Sequence, residues 1–142
     1  MRAALRRRKD GPMHWQRGAL TPEQVELVIR TLPCDISFAD ERDVLIYWQG
    51  ETYKTCDGRY IGRNVRDCHP ESSLEELETI LRAFKDGTKD EAWGWGPDDG
   101  AFKLTRYFAV RDDDGAYRGI LEVNQRLDAE RALEGEQALP GW

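Results

Sequence analysis

The chain reads as an α+β domain: a five-stranded antiparallel sheet with helices on one face, plus an N-terminal helix. Three observations predict this. Leu20-Thr21-Pro22-Glu23-Gln24-Val25 is a complete helix start. Leu74, Leu77, Ile80, Leu81 and Phe84 recur at helical spacing, as in a helix that covers a sheet. From residue 88 onward the apolar period falls to two, and aspartate followed by glycine twice separates the alternating runs, which predicts a meander of hairpins.

The elements follow in order. Thr21 is the expected N-cap, Pro22 the first helical residue and Gln24 the partner that closes a capping box, with Leu20 and Val25 as a hydrophobic staple. This helix runs to about Thr31 and is ended by Pro33. Asp35-Ile36-Ser37-Phe38-Ala39 alternates as a half-buried strand does, Asp40-Glu41-Arg42-Asp43 supplies a turn, and Val44-Leu45-Ile46-Tyr47-Trp48 completes a hairpin. Residues 49–70 hold Gly50, Gly58, Gly62 and Pro70 without periodicity and read as loops with short helical turns. Ser73 and Glu76 form a second capping box, and the helix that they open stops at Gly87. Strands are then predicted over 91–96, 101–111 and 117–125.

With 142 residues, 39% hydrophobic and 34% charged, the composition is that of one globular domain. No apolar run reaches the roughly 20 residues of a membrane helix. The basic start lacks the apolar stretch of an export signal, so a cytoplasmic location and no membrane partner are expected. Residues 1–18 carry +5 of a net charge of −6, leaving −11 for the remainder. They are expected to form a basic, flexible tail, with the domain spanning 19–142. The acidic body argues against nucleic acid as a partner. The three cysteines, Cys34, Cys56 and Cys68, lack a Cys-x-x-Cys pair and are expected to be free thiols, with no metal site.

The order of elements, Ile61-Gly62-Arg63-Asn64-Val65 and Tyr107-Phe108-Ala109-Val110-Arg111-Asp112-Asp113-Asp114-Gly115 resemble the PAS domain family over about residues 19–142. The two stretches look like the entry to the central PAS helix and the last hairpin. Leu20-Thr21-Pro22-Glu23-Gln24, Asn64-Val65-Arg66-Asp67-Cys68-His69-Pro70 and Leu133-Glu134-Gly135-Glu136 bring the resemblance closest to PAS domains that follow haemerythrin-like or uncharacterised helical domains in bacteria and archaea. The resemblance implies a signalling domain that binds a small molecule. It also implies departures. The reactive cysteine of flavin-binding photosensory relatives is Val65 here, against flavin adduct chemistry. The position of the haem-ligating histidine falls among Glu76, Leu77 and Glu78. The family's Asp-Ile-Thr signature appears as Arg126-Leu127-Asp128, which puts the usual tie between sheet and output helix in doubt.

The expected cavity lies between the sheet and residues 50–84, lined by some of Trp48, Tyr53, Tyr60, Val65, His69, Leu77, Leu81, Trp93 and Trp95. Cys68-His69-Pro70 stands at its mouth. Imidazole and thiolate are both axial haem ligands, so a haem-binding sensor using His69 is one alternative; the other is that His69 and Pro70 shape the turn before the helix. Trp93 and Trp95 share one face of a strand, as cavity wall or as core. Asn124 and Glu122 share a face with Ile120, and in flavin-binding relatives a polar side chain near Asn124 meets the ligand. No Gly-x-Ser-x-Gly, His-Glu-x-x-His or phosphate loop occurs, so binding and not catalysis is expected. A homodimer is expected as well, because Val25, Leu27, Val28 and Ile29 spread over more than one side of the first helix. The rival reading is a dimerisation module with a filled core.

Overall fold

The structure is a computed structural model and describes residues 13–15, 18–50, 58–139 and 141. It has two compact units, Met1–Pro33 and Cys34–Trp142. Most of the basic tail lies outside the described residues. Near its end, β1 (Met13–Trp15) pairs antiparallel with β2 (Gly18–Leu20).

The first unit also holds α1 (Pro22–Thr31), whose start is as predicted. Thr21 Oγ1 accepts from the Gln24 N–H at 3.1 Å, and the Thr21 N–H donates to Gln24 Oε1 at 2.9 Å. Such a cap contributes about 1 kcal/mol. Leu32 leaves the helical conformation just before Pro33. No residue of α1 is buried, and Leu27 and Val28 are each 52% exposed.

The second unit is the sheet. β3 (Asp35–Asp40), β4 (Leu45–Gln49), β5 (Glu91–Asp98), β6 (Ala101–Arg111) and β7 (Tyr117–Arg126) lie in the order β4-β3-β7-β6-β5, with every neighbouring pair antiparallel. The five predicted strands are all present. α2 (Glu71–Lys85) places Leu77, Leu81 and Phe84 in one buried cluster with Ala39, Val65 and Ile120. The helix begins two residues before the expected cap. Pro70 is extended at the N-cap position, and Ser73, instead of capping, turns its hydroxyl back to donate to the Pro70 carbonyl at 3.1 Å.

Register sorts the side chains into two faces. Ala39, Ile120 and Ala109 lie side by side on the face covered by α2, followed by the row Ser37, Glu122, Tyr107 and Ala92, and then by Asp35, Asn124, Thr105 and Gly94. The opposite face carries Trp93 beside Arg106 and Val123, and Trp95 beside Leu104 and Gln125.

An ionic cluster fixes the connection that leads into α2. Asp43 sits at the β3–β4 turn with φ +64° and is 5% exposed. It accepts from Arg66 Nη1 at 2.9 Å and from Lys85 Nζ at 2.7 Å, and Arg66 also pairs with Glu78. Burying Asp43 is tolerable because two cations meet it.

Candidate ligand-binding cavity

The inner face is apolar at one end and polar at the other. On three neighbouring strands the inward residues run from small and apolar to polar: Ala39, Ser37, Asp35 on β3; Ile120, Glu122, Asn124 on β7; Ala109, Tyr107, Thr105 on β6. At the apolar end α2 closes the core. At the polar end lies a cavity of about 220 Å³, whose lining includes Asp35, Ser37, Trp48, His69, Thr105, Tyr107, Glu122 and Asn124, together with Pro70, Ser73 and Lys103. A second, more open hollow of about 430 Å³ shares Lys103, Thr105 and Tyr107 with it. The inward positions of β5 there are Ala92, Gly94 and Gly96, so little fills the space beneath the strand.

The polar side chains form a directed network. Thr105 Oγ1 donates to Asn124 Oδ1 at 2.6 Å, and Asn124 Nδ2 donates to Glu122 Oε1 at 2.8 Å. Ser37 Oγ donates to Glu122 Oε2 at 3.3 Å, and the Tyr107 hydroxyl also hydrogen-bonds to Glu122. The Tyr107 phenol is pushed far above its ordinary range by burial first and then by the charge of Glu122. Donors from three strands thus converge on one carboxylate, an arrangement that holds the wall rigid and presents it to the cavity.

His69 lines this cavity and also a hollow of about 20 Å³ at its inner end, beside Val65 and Leu77. Its Nδ1 lies 2.8 Å from the Val65 carbonyl. A carbonyl only accepts, so the proton is on Nδ1 and the ring is held in one orientation.

The residues singled out from the sequence are therefore scattered. His69, Asn124 and Trp48 meet at the cavity. Val65 and Leu77 are buried core residues that touch only its inner end, and Leu81, 1% exposed, is core. Trp93 and Trp95 are 60% and 62% exposed and stack on each other with ring centroids 5.2 Å apart, on the face away from α2. Neither lines the 220 Å³ cavity, because the two-residue period that pairs them with Leu104 and Arg106 turns them to the other face, although both border the more open 430 Å³ hollow at the edge strand. Tyr53 lies outside the described residues. Cys68 is disulfide-bonded, which corrects the expectation of free thiols for that residue; Cys34 is a free thiol. An odd number of cysteines leaves pairing of two of them open. The residues that sequence reasoning missed are Asp35, Ser37, Thr105 and Tyr107.

This arrangement does not fit a haem. A sulfur in a disulfide offers no thiolate, the apolar walls expected from Leu81, Trp93 and Trp95 do not line the cavity that His69 borders, and that cavity is below the ~300 Å³ at which pockets for drug-sized ligands begin.

A twisted five-stranded antiparallel sheet, crossed on one face by short helical turns and one long helix with a polar cavity beneath them, defines the class. The chain belongs to the PAS domain family, whose model matches residues 25–128. Among solved structures it is similar to the C-terminal domain of a Streptococcus mutans protein, at 27% identity and a TM-score of 0.80 over 89% of this chain and 100% of that one. It shares its fold with VqmA of Vibrio cholerae, a LuxR-type receptor that binds DNA, at 21% identity and a TM-score of 0.56 over 83% of this chain and 56% of that one. A sensory box sensor histidine kinase from Vibrio cholerae matches at 12% identity and a TM-score of 0.53, over 72% of this chain and 86% of that one. No protein of curated function matches the sequence. Among the described residues no helix is long and apolar enough to cross a membrane. The Asp128 carboxylate accepts the Phe102 N–H at 2.9 Å, so it does tie the segment after β7 to the sheet.

Proposed function

We propose that this PAS domain senses a small molecule held in the cavity between the polar end of the sheet and Cys68-His69-Pro70. The observation that carries the reading is the network that ends on Glu122. The inward positions of three adjacent strands are polar, mutually hydrogen-bonded and set against open space where a merely structural face would be filled with apolar side chains. The family membership and the fold shared with a sensor histidine kinase support a signalling role. The resemblance to PAS domains that follow haemerythrin-like or other helical domains supports a helical neighbour as the other half of the signalling pair.

The test is a thermal-shift screen of chemically diverse small molecules on the wild type and on Thr105→Leu, which places a larger apolar side chain where both hollows meet. A ligand that raises the melting temperature of the wild type but not of Thr105→Leu supports the reading, by mass action on the folded state. Equal shifts in both proteins, or none in the wild type, count against it.

Dimerisation is the second part of the reading. Leu27 and Val28 of α1, and separately Trp93 and Trp95 on the outer face of the sheet, are large apolar side chains exposed by half or more, and such surfaces favour association of two copies.

A further inference from the structure

Among the described residues no cation meets the carboxylate of Glu122. Its described partners, Ser37, Tyr107 and Asn124, are all neutral donors, and it forms no salt bridge with any described lysine or arginine. The contrast with Asp43, met by both Arg66 and Lys85, shows how this fold treats an acid that it buries for structure. Two cations are placed on the same face of the sheet, and both face other acids: Lys103 Nζ is 2.6 Å from Asp98, and Arg126 lies 3.9 Å from Asp128. Two carboxylate oxygens offer about four acceptor positions, of which three are filled. The remaining one belongs to a side chain that lines the cavity.

We propose that the cavity takes a small organic cation, a primary amine or amidinium of single-ring size, whose N–H groups donate to Glu122. The inference rests on the sensing role above and names the ligand class for it. Glu122 is half-buried at the cavity wall, and a bound ammonium group supplies the counter-charge that its neutral donors do not, together with a charge-assisted hydrogen bond. Trp48 and Tyr107 give the body of the ligand aromatic walls, which also attract a cation. The volume of about 220 Å³ corresponds to about seven waters at ~30 Å³ each, which suits one ring and a short amine arm.

Isothermal titration with benzylamine, histamine and agmatine, against benzyl alcohol and benzoate, tests the class. At least one amine binds the wild type, benzyl alcohol binds about ten-fold or more weakly than benzylamine, and benzoate does not compete. Glu122→Gln keeps the shape and loses the charge. It lowers amine affinity by about ten-fold or more while the ligand-free melting temperature stays equal or rises. If that variant fails to fold, Glu122→Asp keeps the charge but withdraws it, and weakens amine binding without abolishing it. No binding by any of the three amines at millimolar concentration, unchanged amine affinity in Glu122→Gln, or preference for benzoate overturns the cationic class. Benzoate or benzyl alcohol binding that Thr105→Leu abolishes would overturn the class and leave the sensing role standing. Ligand responses of every charge type that ignore Thr105→Leu would remove the sensing role itself.

Discussion

Tyr107→Phe should change the pH dependence of stability in a way that only a buried, Glu122-facing phenol explains. Burial, and next the charge of Glu122, raise the Tyr107 hydroxyl above the ordinary tyrosine value of about 10. In the unfolded chain this tyrosine ionises near pH 10, whereas in the folded protein it keeps its proton. The stabilisation is therefore complete below about pH 10 and is lost as the pH rises beyond it. At one pH unit above the unfolded value the loss is RT ln 11, about 1.4 kcal/mol. At pH near 8 the phenylalanine variant lacks a hydrogen bond to a carboxylate and should be about 1.5 kcal/mol less stable than the wild type. The two effects oppose each other, so the variant's deficit should shrink almost to nothing near pH 11. Urea unfolding of both proteins at the two pH values reads this directly. A deficit that stays constant from pH 8 to pH 11 would show that the hydroxyl is solvated, and that the inward-facing network is wrong. Tyr117, pushed up to about 12 by burial first and then by Asp43, adds a loss of the same sign in both proteins and cancels from the comparison.

The remaining predictions concern the elements around the cavity. Leu81→Ala, at a site 1% exposed in the core, should cost about 2–5 kcal/mol in urea unfolding, and a cost below about 1 kcal/mol would mean that Leu81 faces open space as a cavity wall. Arg66→Met leaves Asp43, 5% exposed, with Lys85 as its remaining cation and should cost about 1–3 kcal/mol, little relieved by salt because the acid is buried. Replacing Trp93 and Trp95 together by arginine should leave the melting temperature nearly unchanged, since both are more than half exposed, but shift light scattering from dimer to monomer. An unchanged dimer would exclude the outer face of the sheet as the contact.

Local signals made the fold legible. Thr21 and Gln24 closed a capping box as read, Gly87 follows α2 at φ +77°, and the turns at Asp99-Gly100 and Asp114-Gly115 separate strands where expected. Ser73 misled because a serine three residues past a proline can serve as a cap or as an N3 residue, and Pro70 takes the cap position. The site was less legible because it depends on register between strands far apart in sequence. Trp93 and Trp95 looked like cavity walls by chemistry, yet the pairing of Trp93 with Arg106 sends them outward. Glu122 and Asn124 stood out only as polar residues on the face of Ile120 and by likeness to flavin-binding relatives, while their pairing with Ser37 and Asp35 turns them inward beneath the Cys68-His69-Pro70 segment. The available signal was the shared gradient from small apolar to polar residues in Ala39-Ser37-Asp35, Ile120-Glu122-Asn124 and Ala109-Tyr107-Thr105, which gains meaning only once the three strands are aligned.

The most direct test of the ligand site is chemical-shift mapping of the backbone amides while single-ring fragments are titrated into isotope-labelled protein. The cavity account predicts that the signals of Ser37, His69, Tyr107, Glu122 and Asn124 move together and saturate, while those of Trp93, Trp95 and Leu104 stay in place. Shifts confined to the Trp93–Trp95 face, or none that saturate at the inner face, would contradict it.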